Sequence, residues 1–409
     1  MTTTKNNEHK KLNVPNLRFP EFQGEWEESI IGEMFDLYSG NTPSRLNKEH
    51  FKGTVNWISS GELKEHYISS TKEQISEEAA KSLKLLPVGT FVIAIYGLEA
   101  EGVRGTGSIT QEPSTISQAC MSFIPKGVIG NEFLYSWYKK HGNVIGIRYA
   151  QGTKQQNLSY DILEKFKIVY PNTKEQEKLN KFISLLDERI ATQNKIIDKL
   201  QSLIKGLNDS LYTQHGGEVL TSFSNLGTSY SGLSGKSAQD FGSGKPFITY
   251  LNVYSNNVIN ENDFQYVAIK DGEKQNAVEY GDVLFTLSSE TPEEVGIGSV
   301  YLGKENVYLN SFCFGIHITN TKVAFPPYLS YYVSSTAFRK FIYPYAQGST
   351  RFNLCKADFE KASIKLPTLE KQKRIYSILN HIDSKIETER QMLDLYNSQK
   401  QYLLRQMFI

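Results

Sequence analysis

The sequence has little cysteine and no apolar run long enough to cross a membrane. Its three cysteines, Cys120, Cys313 and Cys355, lie far apart among 409 residues. An odd and scattered set argues against a disulfide framework and predicts a reducing compartment. The longest apolar runs, such as residues 91–96, have the length of a strand, whereas a membrane-spanning helix needs about 20 residues.

The chain also lacks a large net charge of either sign. Its 45 Lys and Arg residues nearly cancel 44 Asp and Glu residues, which leaves +1. That balance argues against a surface that binds nucleic acid everywhere, but it permits local basic patches, since DNA affinity depends on where Lys and Arg cluster. Met1-Thr-Thr-Thr-Lys5 leads into a polar stretch, so we expect no signal peptide and a cytoplasmic protein.

Signatures of catalysis are missing as well. Phe325-Pro-Pro-Tyr328 resembles the Asp/Asn-Pro-Pro-aromatic motif of amino-methyltransferases, but Phe325 replaces the amide or carboxylate that would bind the target amino group. Gly244-Lys245-Pro246 is not a P-loop, because proline follows the lysine. The seven histidines do not have metal-ligand spacing with the cysteines. The sequence therefore predicts no active site, metal or cofactor of its own.

What the sequence does contain is an internal repeat. Tyr149-Ala-Gln-Gly152 recurs as Tyr345-Ala-Gln-Gly348, an offset of 196, and the register continues without a gap so that Gln176 matches Gln372. Upstream the similarity is weaker and the offset drifts. Helices in fixed register with divergent loops suit a protein that reads two different targets at a fixed separation. A plain duplication whose surface has drifted is the alternative.

Each repeat ends in a long amphipathic helix of about 39 residues, or about 58 Å. Apolar positions recur with alternating spacings of four and three, which is typical of a coiled-coil seam. The first seam is Leu179, Ile183, Leu186, Ile190, Gln193, Ile197, Leu200, Ile204, Leu207 and Leu211. The second is Ile375, Leu379, Ile382, Ile386, Glu389, Leu393, Tyr396, Lys400, Leu403 and Met407. We expect the two helices to pair antiparallel within one chain; pairing between two chains of a homodimer is the alternative.

The segment before each helix is interpreted as a mixed α/β module with short strands and glycine-rich turns. We expect a first module at 1–171, its helix at 172–213, a second module at 214–367 and its helix at 368–409. The strand candidates lie at 54–58, 91–96, 118–123, 247–250, 283–287 and 312–318.

Polar loops between these strands hold the candidate DNA contacts. Arg45, Arg104 and Lys154 have the charge to pair with phosphates, and the amides of Gln155, Gln156 and Asn157 suit adenine edges. The remaining candidates are Thr42, Ser44, Ser59 and Ser60 in the first module, and Lys236, Tyr250, Asn252, Tyr254, Ser288, Ser289 and Arg351 in the second. For any one of them a solvated turn is the alternative, and Asn157 and Asn353 could simply cap or brace the apolar segment that follows each.

Several segments together resemble the specificity subunit of type I restriction-modification systems, along nearly the whole chain. They are Val14-Pro-Asn-Leu-Arg-Phe-Pro-Glu-Phe22 with Glu25-Trp26, Tyr38-Ser-Gly-Asn-Thr-Pro43, Trp57-Ile58, Gln118-Ala119, the two Tyr-Ala-Gln-Gly segments, each followed by Asn-Leu, and the paired helices. Each motif alone is weak, whereas their order and duplication are specific.

The resemblance implies two α/β target-recognition domains joined by two long antiparallel coiled-coil helices, in a pseudo-twofold internal repeat. Each domain would read one half of a split double-stranded DNA sequence. The helices would act as a spacer and as the docking surface for two modification subunits. Those partners are similar to N6-adenine methyltransferases that use S-adenosylmethionine, and restriction subunits that use ATP and Mg²⁺ would join them for cleavage.

Two other functional hypotheses stay open at this point. The chain could be an interaction scaffold whose two heads bind proteins while the helices only space them. It could also be a self-sufficient methyltransferase, which would transfer methyl groups without a partner.

Overall fold

The computed structural model describes residues 12–215 and 217–409. The expected absence of a signal peptide concerns residues 1–11, which lie outside the described residues. The chain divides into two compact units: the first ends at Asn194 and also includes Gln391–Ile409, and the second is Lys195–Arg390. Neither unit is one expected module with its own helix, because each contains a part of both long helices.

The first unit alternates short strands with short helices. Its strands are β1 (Glu27–Ile30), β2 (Phe35–Ser39), β3 (Val55–Ile58), β4 (Tyr67–Ile68), β5 (Gln74–Ile75), β6 (Phe91–Ala94), β7 (Gly107–Thr110), β8 (Ser114–Ile116), β9 (Cys120–Pro125) and β10 (Lys167–Tyr170). Its helices are α1 (Ile31–Met34), α2 (Glu77–Lys81), α3 (Asn131–Tyr149) and α4 (Tyr160–Leu163), with 3-10 turns at Lys48–Phe51 and Ser60–Glu62. The long helix α5 (Thr173–His215) follows.

The second unit is built from similar short elements, with more strands. Its strands are β11 (Val219–Thr221), β12 (Gly227–Ser231), β13 (Phe241–Ile248), β14 (Gln265–Val267), β15 (Val283–Thr286), β16 (Ser288–Ser289), β17 (Gly298–Val300), β18 (Tyr308–Leu309), β19 (Cys313–Ile318), β20 (Ala346–Gly348), β21 (Phe352–Leu354) and β22 (Ile364–Leu366). Its helices are α6 (Phe223–Leu226), α7 (Tyr250–Ser255), α8 (Pro326–Ser334), α9 (Thr336–Ile342), α10 (Lys356–Lys361) and α11 (Leu369–Met407), and its 3-10 turns are Ala238–Asp240, Glu261–Asp263, Pro292–Glu294 and Tyr343–Tyr345.

The sheets correspond between the units. The main sheet has the order β2-β9-β6-β7-β4 in the first unit and β12-β19-β15-β17 in the second. Beside it lies a smaller sheet whose parallel pair is β3–β8 in the first unit and β13–β18 in the second. The strand that enters each unit pairs antiparallel with the strand that precedes the long helix, as β1–β10 and β11–β22. The expected mixed α/β class and internal repeat are confirmed, and each of the six strand candidates overlaps a strand.

The core of each unit includes residues of both long helices. Leu179 and Ile183 of α5 share the first core with Leu403 and Met407 of α11. In the second unit Ile375 and Leu379 of α11 are buried in the core, and Ile204, Leu207 and Leu211 of α5 pack against it. All predicted seam residues are buried or partly buried. Because α5 has 43 residues rather than about 39, the predicted length of the first helix was too short.

Within the first unit the two long helices run antiparallel. The phenol of Tyr396 accepts a hydrogen bond from Nε of Arg189 at 3.0 Å, and the ammonium of Lys400 pairs with Asp187. The partner number thus falls along α11 as the residue number rises along α5. The expected pairing within one chain is therefore present in this unit.

A buried glutamine fixes the start of each long helix in the same way. Nε2 of Gln176 donates to the carbonyls of Val128 at 3.0 Å and Pro171 at 2.9 Å. Nε2 of Gln372 donates to those of Val323 and Pro367, each at 2.8 Å. The gapless register of the sequence repeat at this point therefore reflects one structural device used twice.

Candidate functional site

The repeated Tyr-Ala-Gln-Gly segment leads into a hairpin in both units. In the first unit, Gln151 and Asn157 exchange two backbone hydrogen bonds of 2.8 Å. In the second, Gln347 of β20 faces Asn353 of β21. The two asparagines thus belong to hairpins, and the helix that follows each hairpin has Ser159 or Cys355 at its N-cap position.

Each hairpin is docked on the segment that follows a central strand of the main sheet. The backbone N–H of Leu158 donates to the carbonyl of Ile95 at 2.9 Å, and that of Leu354 donates to Leu287 at 2.8 Å. Both leucines are buried. The hairpin therefore projects from a fixed base in each unit.

A glycine with positive φ begins each turn. Gly152 has a φ of 120° and Gly348 a φ of 144°, a region that side chains on Cβ disfavour. A Cβ atom on Gly152 would lie 2.1 Å from the carbonyl oxygen of Gln155, and one on Gly348 would lie 2.1 Å from that of Arg351. Gln155 and Arg351 consequently occupy the same place in two copies of one turn.

The hairpin tips present polar side chains to solvent. Lys154 and Gln155 are exposed in the first unit, and Arg351 is exposed in the second. Among residues 12–215 and 217–409, none of these three side chains has a hydrogen-bonding partner. All three were predicted as DNA contacts, and their exposure leaves them available for a ligand.

Gln156 instead holds the first hairpin to the loop after β6, and Arg104 braces that loop. The backbone N–H of Gln156 donates to Oε2 of Glu99 at 2.9 Å, which lowers the pKa of that carboxyl. Nε of Arg104 donates to the carbonyl of Leu98 at 2.9 Å, and Nη2 donates to that of Glu99 at 3.2 Å. The guanidinium predicted to pair with phosphate is thus engaged within its own loop.

The second unit uses another arginine for the same purpose. Nη1 of Arg339, on α9, donates to the carbonyl of Gly296 at 2.8 Å, and Nη2 donates to those of Glu293 at 2.6 Å and Val295 at 2.7 Å. Burial lowers the pKa of Arg339. The sequence analysis missed this residue, because it lies on a helix distant in sequence from the loop that it holds.

Tyr250, Tyr254, Ser288 and Ser289 converge beside the second hairpin. The two tyrosines are one helical turn apart, with ring centroids 6.0 Å apart and planes 16° from parallel. The phenol of Tyr250 donates to the carbonyl of Ser288 at 2.8 Å. Tyr254 and Ser289 donate to the two carboxylate oxygens of Glu294 at 2.8 and 3.0 Å. Glu294, which the sequence analysis missed, therefore holds these candidates together.

Arg351 also belongs near this group. Burial raises the pKa of Tyr250, and the positive charge of Arg351 acts on the same phenol in the opposite direction. Ser289 pairs with Phe352, the residue after Arg351, across the β16–β21 ladder. Five of the seven predicted contacts of the second unit thus lie together, with two tyrosines, a carboxylate and a guanidinium, although Ser288 and Ser289 are themselves buried.

Two candidates of the second unit lie apart from that surface. Asn252 is buried and donates from Nδ2 to the carbonyl of Asn260 at 2.8 Å, so it supports the loop after α7. Lys236 is paired with Glu273, and this pairing is the largest cause that lowers the pKa of Glu273 to about 2. Its ammonium also donates to the carbonyl of Ala268 at 2.6 Å.

Four candidates of the first unit lie near the smaller sheet. Arg45 makes two hydrogen bonds to Glu73, at 2.8 and 2.7 Å, and its guanidinium lies 4.5 Å from the centre of the Phe51 ring. Thr42 and Ser44 are in the segment just before it, where Ser44 is exposed and Thr42 is partly buried. The hydroxyl of Ser59 donates to Glu62 at 2.6 Å.

Ser60 opens the 3-10 turn after β3 and is partly buried. Within the part of the chain that the structure describes, no hydrogen bond joins these four residues or Ser60 to the hairpin tip. The candidates of the first unit therefore form two groups rather than one surface.

A cavity of about 430 Å³ lies in the first unit, where β4 and α3 meet the long helices. The ring of His66 stacks between Tyr67 and Tyr135, with centroids 4.1 and 3.9 Å away. Burial and the charge of Lys400 lower the pKa of Lys139, on the same wall, to about 8. The sequence analysis did not identify this cavity.

Neither a metal-binding cluster nor a membrane-spanning helix is present among residues 12–215 and 217–409. Over the described part of the chain, no group of three or more His, Cys, Asp or Glu side chains could hold a metal ion. Across the same residues, every helix is too short or too polar to span a bilayer.

Comparison with protein families identifies the repeated module. A family described as "Type I restriction modification DNA specificity domain" matches residues 23–202 and 234–395. The specificity subunit of the type I restriction enzyme MjaIX from Methanocaldococcus jannaschii is 29% identical over 185 residues, which are 43% of this chain and 42% of that protein. The EcoR124I/EcoR124II specificity subunit from Escherichia coli is 30% identical over 189 residues, 45% of each chain. These alignments span less than half the length of either relative.

Two solved structures share the fold along most of the chain. One is the S subunit of a type I restriction-modification system from M. genitalium, with a TM-score of 0.55 and 13% identity over 97% of this chain and 99% of that one. The other comes from work on complex assembly and conformational transition of the type I R-M system, with a TM-score of 0.58 and 15% identity over 93% and 96% of the two chains. At such identities the likeness concerns the fold.

Proposed function

We propose a function from one premise: the chain belongs to the type I restriction-modification DNA specificity family. On our proposal it is the subunit that selects the DNA sequence in such a complex. Each unit reads one half of a bipartite target in double-stranded DNA. The observation that carries the proposal is the pair of matched hairpins, which have one backbone geometry but different exposed side chains at their tips.

Two kinds of contact are expected from such a surface. Among the described residues no carboxylate pairs with Lys154 or Arg351. The charge of Lys154 suits phosphate, and that of Arg351 suits phosphate or base acceptors. Tyr250, Tyr254 and Glu294 supply aromatic faces and a fixed acceptor next to Arg351. This mixture of donors and acceptors supports sequence discrimination, because a purely basic surface would bind every sequence alike.

The chemistry is assigned to partners in this proposal. Two modification subunits would methylate adenine at N6 with S-adenosylmethionine, and restriction subunits would cleave with ATP and Mg²⁺. The long helices would carry the docking surface for the modification subunits. In support, Leu185 and Leu395 are exposed in the first unit, and Leu203 and Ile378 are exposed in the second. Because the ligand is cellular and invading DNA, the expected site of action is the cytoplasm.

Mapping of methylated bases tests the proposal. The chain would be expressed with the modification subunit of its own system, in cells that lack other adenine methylation. We expect methylation at a motif of two short half-sites separated by a spacer of indifferent sequence. Omission of the chain should abolish that motif.

Footprinting of the purified complex distinguishes this proposal from the interaction-scaffold hypothesis. A reader should protect the two half-sites that the methylation map gives. A complex that assembles but has no sequence preference would overturn the proposed function.

A further inference from the structure

We propose that Gln155 and Arg351 are the specificity-determining residues of the two hairpins, with Gln155 reading adenine and Arg351 reading guanine in the major groove. This inference rests on the proposed function and adds the identity of one base in each half-site.

Gln155 and Arg351 occupy equivalent positions in the two hairpins. Both are three residues after the glycine with positive φ, and the carbonyl oxygen of each lies 2.1 Å from the Cβ that this glycine lacks. Residues 155 and 351 therefore occupy equivalent positions in the two turns, and they carry different side chains.

Each of the two side chains is free, whereas the loops beside its hairpin are held in place. Both Gln155 and Arg351 are exposed, and within the described residues neither side chain makes a hydrogen bond. Arg104 and Arg339 fix the neighbouring loops through backbone carbonyls. A free side chain on a fixed frame is what base recognition needs, since misplacement by about 1 Å weakens a designed contact.

The two side chains differ in their chemistry. A glutamine amide donates from Nε2 to N7 of adenine and accepts from the N6 amino group at Oε1, with both bonds in one plane. An arginine guanidinium donates twice, which matches O6 and N7 of guanine. Replacement of an amide by a guanidinium at one structural position therefore changes the preferred purine.

A phosphate contact is the competing role for this position. Phosphate binding depends on positive charge, and the charge is not kept between the copies because Gln155 is neutral. The first tip has its cation at Lys154, where the second tip has Thr350. Lys154 is consequently the matched control, since it is exposed and adjacent to Gln155 on the same turn.

Reciprocal substitutions test the inference in the assembled complex. Gln155→Arg, Arg351→Gln and Lys154→Ala would each be expressed with the modification subunit, and methylated motifs would be mapped. We expect Gln155→Arg to change one adenine to guanine in one half-site, and Arg351→Gln to make the opposite change in the other. Lys154→Ala should keep the same bases in the motif, although the loss of its phosphate contact lowers the extent of methylation. If the complexes with Gln155→Arg and Arg351→Gln both still methylate the wild-type motif, the inference is overturned.

A binding measurement covers variants that no longer support methylation. The purified complexes with Gln155→Ala and Arg351→Ala would be titrated with duplexes that carry each of the four bases at every half-site position. We expect discrimination at one position to fall by roughly ten- to hundredfold and discrimination elsewhere to persist. Uniformly weaker binding to all duplexes, with or without a smaller salt dependence, would contradict base reading.

The two proposals fail in different ways. If the wild-type complex has no bipartite motif, the proposed function is wrong. If the wild-type motif exists and these substitutions leave every base preference in place, only the assignment of Gln155 and Arg351 is wrong.

Discussion

The imidazole of His66 lies against the carboxylate of Asp187, with Nδ1 3.0 Å from an oxygen of that group. Nε2 of the same ring lies 2.9 Å from a carboxylate oxygen of Glu132. His66 precedes β4 of the main sheet, and Asp187 belongs to α5. The ring therefore joins the sheet of the first unit to the part of α5 in that unit, and Lys400 of α11 completes the cluster by pairing with Asp187.

This contact predicts a pH dependence of stability. Burial alone would lower the pKa of His66, but the carboxylates of Asp187 and Glu132 beside the ring outweigh that effect and raise the pKa. The contribution to stability is then fully present below the unfolded value of about 6.5, and it is lost as the pH rises through the higher folded value. We expect the free energy of unfolding lost in His66→Gln to be larger at about pH 5.5 than at about pH 8.5.

Urea titrations at several pH values would measure this difference. Asp187→Asn removes one of the two carboxylates that face the ring, so it should reduce the same pH dependence. A loss in His66→Gln that is constant over the whole range would show that the ring acts only by packing between Tyr67 and Tyr135.

A second prediction concerns the glutamine at the start of α11. Gln372→Leu keeps the side chain large but removes the donor to Val323 and Pro367 and the acceptor of the Phe325 N–H, which is 2.8 Å away. Buried groups that lose their partner cost about 1–3 kcal/mol each. We expect a loss of about 3 kcal/mol in unfolding free energy, measured by chemical denaturation.

Gln399→Leu, at an exposed position of the same helix, is the matched control. It should change stability by less than about 0.5 kcal/mol. Equal losses in the two variants would mean that the hydrogen bonds of Gln372 add nothing to its packing.

The seam and the duplicated module could be predicted from sequence because both are periodic. A spacing of four and three identified every seam position from Leu179 to Met407, and these residues are buried or partly buried. The match of Gln176 with Gln372 likewise follows from sequence register, and the structure gives it a physical meaning.

The contacts that hold the candidate surface in place could not be predicted from sequence periodicity. Arg104 and Lys154 both lie in glycine-containing polar loops, but only the folded chain shows that the first guanidinium is engaged by carbonyls. The bond between Tyr254 and Glu294 joins two segments whose sequences do not indicate a contact. Such pairs depend on how loops are placed by the sheets, which no local pattern encodes.

A third prediction separates these two cations of the first unit. Lys154→Ala should reduce the slope of log affinity against log salt concentration by about 0.9 if the ammonium neutralises one phosphate. Arg104→Ala should leave that slope unchanged and weaken binding through the loop, since the carbonyls of Leu98 and Glu99 lose their donor. Titrations of the assembled complex with its target at several salt concentrations would measure both.

A reduced slope of log affinity against log salt concentration in Arg104→Ala would have another meaning. It would show that the guanidinium leaves the loop carbonyls when DNA binds. In that case the contacts to Leu98 and Glu99 would describe only the unbound chain.

The last prediction follows from the C-terminal segment, which belongs to the first unit. Phe408 of the C-terminal segment is buried against Phe133 of α3, with ring centroids 5.3 Å apart, and Leu403, Leu404 and Met407 share that core. A module exchange limited to residues 1–171 would therefore place a foreign α3 against these native side chains. Mismatched cores lose about 1–3 kcal/mol by overpacking, and more where a cavity forms.

Two chimeras from one donor of the same family would test this. The first replaces 1–171 alone, and the second replaces 1–194 together with 391–409. Both should change one half-site and leave the other unchanged, but the second should unfold at a higher temperature because its core is complete. Equal stabilities would mean that the segment at 403–408 tolerates any partner, and a change in both half-sites would contradict the assignment of one half-site to each unit.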